Sequence, residues 1–219
     1  VFGPMFSIDA QSTIKSIFIS KTIQVVNMGA LCDCPHLCSI VVDEENPYLD
    51  SRNDCNAIIA SKDWGTQANT LIAGCQTTTI PHSVTEIGSY AFAYCDSLKH
   101  IKIPNGVTKI GNSAFYECTS LSSIILPETL TTLSNEWVFG NCKNLKEVYF
   151  YATTLPYIAY GVFRNLNPII YVPAESLAAY KSALYWQDFD IRPMDVTTSI
   201  EDIHTSHSSG TKLLRDGKI

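Results

Sequence analysis

The 219-residue chain has little charge, no basic bias and no long apolar run. Charged residues make up 16% of the sequence and the formal net charge is -6, so the chain lacks the basic character that favours nucleic acid. No stretch approaches the roughly 18 consecutive apolar residues of a membrane-spanning helix. Apolar residues nevertheless reach 46%, which predicts a folded chain.

The sequence also lacks the motifs of common enzyme classes. The GxSxG, HExxH, phosphate-loop and dinucleotide-binding patterns are absent. The histidines are scattered, at His36, His82, His100, His204 and His207. No spacing sets a general base beside a nucleophile. We therefore expect no catalytic residue, no cofactor and no enzymatic activity.

What the sequence does contain is a repeat of about 23 residues. The segment from Ile80 to Ile103 aligns with the segment from Ile103 to Leu126, and their apolar positions coincide. Residues 8–19 match the second half of a copy, so we expect the chain to begin within a repeat. Further copies occupy 19–42, 126–150 and 150–172. Such copies predict a solenoid in which each repeat forms one coil.

The pattern within one copy predicts the path of a coil. The LxxIxI segment alternates apolar and polar residues, which indicates a short strand with one buried face. In the IPxxVxxIG segment that follows, proline closes the strand, and Gly88 or Gly111 permits a turn. The AFxxCxxL segment has a tighter apolar spacing, which predicts a short turn of helix or 3₁₀ helix on the other wall.

Two regions depart from the repeat. Residues 43–79 are irregular, and their apolar runs Ala57–Ala60 and Leu71–Ala73 predict an inserted β-hairpin. Residues 173–195 predict a C-terminal cap with a helix and a last strand, the helix beginning near Pro173. Leu177, Tyr180, Lys181 and Leu184 fall at helical spacing, and only one side of this helix is apolar, as a cap requires. We therefore predict a solenoid over 1–195, then a linker and the start of a further module over 196–219.

Four cysteines occupy one position of the coil: Cys34, Cys95, Cys118 and Cys142. Because the copy at 150–172 has Leu166 there, the position suits any buried apolar residue, and we favour buried thiols over disulfides. Metal binding stays an alternative for Cys32, Cys34, His36 and Cys38, although C-x-C-x-H-x-C is not a common zinc spacing. In the acidic loop a solvated surface is favoured over calcium; its carboxylates are Asp43, Glu44, Glu45, Asp50 and Asp54. We expect no metal site.

The register IPxxVxxIGxxAFxxCxxLxxIxI resembles the BspA-type leucine-rich repeat family over roughly residues 8–195. The ending YVPAESLAAYKSALYWQDF is similar to the family's C-terminal cap. The tail resembles the start of a β-rich C-terminal module of such proteins from Bacteroides-like bacteria. The resemblance implies an α/β-type leucine-rich-repeat solenoid on the cell surface or secreted. It also implies an adhesin that binds a host extracellular-matrix or plasma protein, or a glycan.

The outward positions of the strands are the predicted binding surface, because a solenoid presents them as one row. Several are more apolar than a solvent face requires, although apolar and aromatic residues also suit strands in general. The predicted contact residues are Phe18, Val41, His100, Lys102, Ile125, Glu147, Tyr149, Tyr151 and Tyr171. The alternative function is a structural spacer without a ligand of its own.

Overall fold

The computed structural model describes residues 13–32, 34–61, 68–134, 137–159 and 161–194. They form a β-solenoid of about seven turns, closed by one short helix. Apart from short 3₁₀ segments at Arg52–Asp54 and Ala174–Ser176, the elements are β1 (Ser16–Ile19), β2 (Ser39–Val42), β3 (Leu49–Asp50), β4 (Ala57–Ala60), β5 (Thr70–Gly74), β6 (Glu86–Ile87), β7 (His100–Lys102), β8 (Lys109–Ile110), β9 (Ser123–Leu126), β10 (Thr132–Leu133), β11 (Glu147–Phe150), β12 (Ile169–Val172), α1 (Leu177–Ser182) and β13 (Asp190–Pro193).

The LxxIxI segments form one wall of the solenoid, as their alternation predicts. Strands β7, β9, β11, β12 and β13 pair in parallel, one per coil, in a five-stranded sheet that we call the front sheet. Its inward residues line up in register and are buried: Ile101, Ile124, Val148, Ile170 and Ile191. Strands β1 and β2 pair in a separate two-stranded sheet, so the predicted single row of strands is interrupted.

A second wall was missed by the sequence pattern. The VxxIG segments contain the two-residue parallel strands β6, β8 and β10, which join β3, β4 and β5 in a six-stranded side sheet. A Cβ on Gly111 would lie 2.6 Å from the backbone nitrogen of Ser89, and a Cβ on Gly88 would lie 2.9 Å from the carbonyl oxygen of Leu71. These glycines are therefore required by the close approach of the preceding coil rather than by a turn.

The AFxxCxxL segments form the third wall as consecutive turns, and the predicted turn of helix is absent from them. Their backbones bond to the next coil, for example from Phe92 N to Ala114 O at 2.8 Å and from Phe115 N to Val138 O at 2.9 Å. The phenylalanines stack in a ladder inside the core. Ring centroids are 5.1 Å apart for Phe92 and Phe115, and 5.5 Å apart for Phe115 and Phe139.

The cysteine position lies beside this ladder. Cys118 and Cys142 are fully buried, and each thiol donates a hydrogen bond to a carbonyl oxygen of the preceding coil. The Sγ–O distances are 3.0 Å to Phe92 and 2.9 Å to Phe115. Burial raises the pKa of the Cys118 thiol well above its ordinary value. Cys34 belongs instead to the core cluster around Leu37 and Ile40.

The predicted hairpin is present and is built into the side sheet. Strands β4 and β5 pair antiparallel, with Ala57 opposite Gly74, and β5 continues the sheet by pairing in parallel with β6. Residues 78–80, which lead from the hairpin back to the repeats, are not in a strand. The Thr78 side chain binds the backbone there instead, since its Oγ1 accepts from Cys75 N at 2.7 Å.

The C-terminal cap covers the last coil with aromatic side chains. Helix α1 follows Pro173 and a 3₁₀ turn, and the buried Tyr180 donates from its hydroxyl to Ala152 O at 2.9 Å. The prediction for Leu184 is wrong, because α1 ends at Ser182 and Leu184 is 68% exposed. Trp186 takes that inward position instead, 2% exposed and 4.9 Å from the Phe150 ring.

The predicted last strand is confirmed as β13, and the Met194 nitrogen adds a hydrogen bond to Val172 O at 2.8 Å. At six residues, α1 is far too short to cross a bilayer, and no other helix in the described ranges could do so. The predicted linker and module at 196–219 lie outside the described residues.

Candidate functional site

The predicted contact residues fall on two surfaces rather than one. Phe18 and Val41 face each other across β1 and β2, where they are 62% and 47% exposed. The other seven lie on or beside the front sheet, separated from the first pair by the β4–β5 hairpin in the chain. The structure thus brings together His100, Lys102, Ile125, Glu147, Tyr149, Tyr151 and Tyr171.

Parallel pairing places the outward residues of the front sheet in columns. Lys102 is opposite Ile125, and Ile125 is opposite Tyr149. Tyr149 is opposite Tyr171, which is followed by Arg192 on β13. The Tyr149 and Tyr171 rings stack with centroids 4.8 Å apart and an interplanar angle of 10°. Because neighbouring strands are about 4.8 Å apart, a column of this kind stacks its rings face to face.

The exposure expected for three of these residues is wrong. Ile125, Tyr149 and Tyr171 are only 3%, 9% and 7% exposed, and they form an apolar cluster of their own on the outward side of the sheet. We call it the outer cluster; Tyr151, Ile169 and Met194 pack against it. The physical reason is that large side chains in adjacent columns enclose one another, which alternation along one strand does not report.

Charged and polar groups surround the outer cluster. The Tyr149 hydroxyl donates to Glu147 Oε2 at 3.0 Å. Burial first, and then the nearby Glu147 carboxylate, raise the pKa of Tyr149, so this hydroxyl stays protonated at neutral pH. His100 Nδ1 is hydrogen bonded to Ser123 Oγ at 2.8 Å, and Lys102 is exposed. The outer cluster therefore has an apolar centre and a polar border, an arrangement typical of protein interfaces.

The border continues on β13 with an ion pair. Arg192 Nη2 lies 2.5 Å from Asp190 Oδ2, on a strand whose side chains are largely open to solvent. The hydrogen bond from Arg192 lowers the pKa of Asp190. Being exposed, this pair adds little to stability, but it presents two opposite charges at a fixed spacing.

Residues of the cysteine-rich motif and of the acidic loop make hydrogen bonds and ion pairs with other residues of the chain. Cys38 Sγ donates to Lys15 O at 3.3 Å, Cys34 is buried, and His36 is exposed. In the acidic loop, the Asp50 carboxylate is paired with Arg52 Nη2 at 2.5 Å. In the part of the chain that the structure describes, no group of three or more histidines, cysteines or carboxylates is arranged to hold a metal ion.

The structure describes three of the five histidines. His36 and His82 are exposed, while His100 is held on the front sheet by Ser123. His204 and His207 lie outside the described residues.

One set of surface aromatic residues was missed by the sequence reasoning. Tyr94, Tyr116 and Trp137 belong to three successive coils and contact one another on the turn wall, and the Arg164 guanidinium lies 4.4 Å from the Trp137 ring centroid. We call this set the aromatic ridge. The available signal was an aromatic residue between the repeated positions of each copy.

The fold and this surface define the class of the protein. A parallel β-solenoid with coils of about 23 residues in one apolar register is a leucine-rich-repeat protein. The model of the BspA type leucine rich repeat region matches residues 71–188 in 6 copies, more than half of the 219-residue chain. The chain therefore belongs to the BspA-type leucine-rich repeat family.

This chain is similar to solved structures of bacterial proteins. A leucine-rich repeat protein from Eubacterium ventriosum is 24% identical over 82% of this chain and 49% of its own, with a TM-score of 0.56. This chain thus spans about half the length of that protein. A leucine rich cell surface protein from Faecalibacterium prausnitzii is 20% identical over 63% of this chain and 48% of its own, with a TM-score of 0.32. The pneumococcal vaccine antigen PcpA is 18% identical over 84% of this chain and 56% of its own, with a TM-score of 0.44. No curated protein sequence matches this chain.

Proposed function

We propose that this chain is a non-enzymatic binding protein of the cell surface or the secreted fraction, which engages a protein partner through the front sheet. The observation that carries the proposal is the outer cluster. Its residues lie on the side of the sheet that faces away from the core, so the solenoid does not need them to be apolar. An apolar cluster with a polar and charged border has the composition of an interface core and its rim, which supports this proposal.

The burial of each residue decides its proposed role on this surface. Tyr149 and Tyr171 are enclosed, so we assign them the role of a rigid floor. Lys102, His100 and Tyr151 are more open and would make the direct contacts. A floor of stacked rings lowers the conformational entropy lost on binding, because the groups that it supports are already ordered.

A location outside the cell is supported by membership of the BspA-type family, whose members are surface or secreted proteins. The class of partner is supported by the leucine-rich-repeat architecture, which offers an extended surface to proteins. A host extracellular-matrix or plasma protein is the proposed partner.

The test is binding of the purified chain to a panel of immobilised extracellular-matrix and plasma proteins. Lys102→Glu reverses a charge at the border of the outer cluster, and Tyr151→Ser removes an open ring. Each should weaken binding about tenfold, equivalent to about 1.4 kcal/mol. The matched control is Lys143→Glu, which reverses an exposed lysine on the turn wall. Binding that survives both front-sheet variants would refute this surface as the site.

A structural spacer is distinguished by the same experiment. A spacer would bind no protein of the panel, and the front-sheet variants would show the same lack of binding as the parent chain. Removing a coil would then change only the distance that the solenoid spans, by about 5 Å per coil.

A further inference from the structure

The aromatic ridge carries an inference separate from the front sheet. Its rings contact edge to face, with centroids 5.6 Å apart for Tyr94 and Tyr116, and 6.1 Å apart for Tyr116 and Trp137. Tyr94 is 37% exposed, and Tyr116 and Trp137 are partly exposed. One ring per coil therefore runs along the surface over three coils and ends at Arg164 in the next.

Two of these aromatic residues have a strained backbone conformation. Tyr94 has φ of 62° and Trp137 has φ of 53°, a region that bulky residues rarely adopt. At the position of Tyr94, other coils carry the polar residues Glu117, Asn141 and Asn165 in the same conformation; at the position of Trp137, they carry Ser113 and Tyr90. The fold therefore does not need the aromatic side chains, and their presence points to a role at the surface.

Gly140 makes room for the ridge. A Cβ there would lie 2.8 Å from Trp137 Cε3 and 2.9 Å from Tyr116 Cδ2. The equivalent residues of the neighbouring coils are Tyr116 and Arg164, so the coil itself accepts a large side chain at this position. The glycine is thus required by the two rings and not by the backbone.

Fixed polar groups border the rings. Asn141 Nδ2 donates to Tyr116 Oη at 3.1 Å and to Glu117 Oε1 at 2.7 Å. Thr119 Oγ1 donates to Asp96 Oδ1 at 3.1 Å on the same wall. The ridge thus combines ring surfaces with an ordered amide and carboxylates that can accept further hydrogen bonds.

We propose that the aromatic ridge binds a neutral polysaccharide chain. The C–H faces of sugar rings pack against aromatic rings, and sugar hydroxyl groups bond to carboxylate and amide groups. A sugar chain presents one ring after another, which suits a surface that offers an aromatic ring in each of three successive coils. The carboxylates of Asp96 and Glu117 on this wall, and a net charge of -6, disfavour an acidic glycan.

A proline-rich peptide fits the ridge less well. Such peptides insert their proline rings into slots between aromatic side chains. Here the neighbouring rings touch edge to face at 5.6 and 6.1 Å, which leaves no slot between them. The geometry therefore favours a ligand that lies along the ridge over one that inserts into it.

The test is affinity electrophoresis of the whole chain through gels that contain neutral xylan, mannan or β-glucan, with heparin and a polyproline peptide as the other arms. The two ridge variants are Tyr94→Asn and Trp137→Ser, which copy the residues of equivalent positions in other coils, so the fold is retained. Tyr185→Asn is the matched control. Its ring is 38% exposed with φ of 69°, close to the values for Tyr94, but it lies in the cap.

We expect at least one neutral polysaccharide to retard the chain. Each ridge variant should weaken that retardation about tenfold, equivalent to about 1.4 kcal/mol, while Tyr185→Asn leaves it unchanged. Three results would overturn the proposal: no retardation by any neutral polysaccharide, retardation that survives both ridge variants, or ridge-dependent binding of heparin or polyproline alone. Binding to the protein panel through the front sheet is a separate readout, so either proposal can fail without the other.

Discussion

Removing one ring from the phenylalanine ladder is the sharpest test of the coil register. Phe115 is completely buried and stacks on Phe92 with an interplanar angle of 3° and on Phe139 with one of 15°. Phe115→Ala should lower the free energy of unfolding by about 3–5 kcal/mol, because it leaves a cavity between two coils. Loss of two ring pairs, each worth about 0.5–1.5 kcal/mol, places the value in the upper half of that range.

The assay is urea unfolding followed by circular dichroism and by tryptophan fluorescence, since Trp186 is buried against the last coil. In thermal unfolding, a domain of this size should lose about 2–4 °C in Tm per kcal/mol. Phe18→Ala is the matched control, since Phe18 is 62% exposed and its loss should change stability by less than about 0.5 kcal/mol. A loss below about 1.5 kcal/mol for Phe115→Ala would refute the ladder.

Three further predictions follow from the walls of the coil. Gly111→Ala should lower the free energy of unfolding by more than about 1 kcal/mol in the same urea assay, because the new Cβ would lie 2.6 Å from the backbone nitrogen of Ser89. An unchanged free energy of unfolding would refute the close approach of the coils. The Cys118 and Cys142 thiols should resist alkylation at pH 8 until the chain unfolds, because both are buried and the pKa of Cys118 is raised. Mass spectrometry of the native protein after alkylation measures this, and rapid labelling of either thiol would contradict it. Burial raises the pKa of Tyr149 and of Tyr180, so their stabilisation is complete below the unfolded tyrosine pKa of about 10 and is lost as pH rises above it. Tyr149→Phe should flatten that decline in a pH series of unfolding curves, whereas an unchanged slope would show that Tyr149 does not titrate with unfolding.

The sequence predicts well those features that depend on the repeat alone. The inward columns of the front sheet and the phenylalanine ladder follow from aligned apolar residues, and the structure places them as aligned; of the four aligned cysteines, Cys34 lies in a separate core cluster. The hairpin at β4 and β5 was also predictable, because two apolar runs flank a polar loop. In each case the signal lies within one or two copies of the chain.

Features that depend on contacts between coils were not predictable in this way. Strands such as β6 and β8 are two residues long, which is too short to show alternation. The helix α1 ends because Ala183 turns to an extended conformation, with ψ of 145°, and no proline or glycine marks that point. The burial of Ile125 and Tyr171 depends on side chains from neighbouring coils, which a single-strand pattern does not contain.

The aromatic ridge shows a further limit of alignment. Tyr94, Tyr116 and Trp137 occupy three different positions of the repeat, so superposing the copies does not bring them into one column. They meet because each side chain reaches across to the next coil from a different point of the turn wall. A search for aromatic residues at non-repeated positions would find the members of the ridge, but not their contact.

The direction of the bonds between coils has a mechanical consequence. Strand-to-strand hydrogen bonds on the front sheet point along the stacking direction, and the backbone bonds between turn segments do the same. A force applied along that direction acts on all the interfaces between coils in series, so the weakest interface yields first and the coils detach one after another. Each coil of about 23 residues releases roughly 80 Å of extended chain. The coil is thus the unit of mechanical failure, and a tethered molecule lengthens in even steps while the remaining coils stay folded.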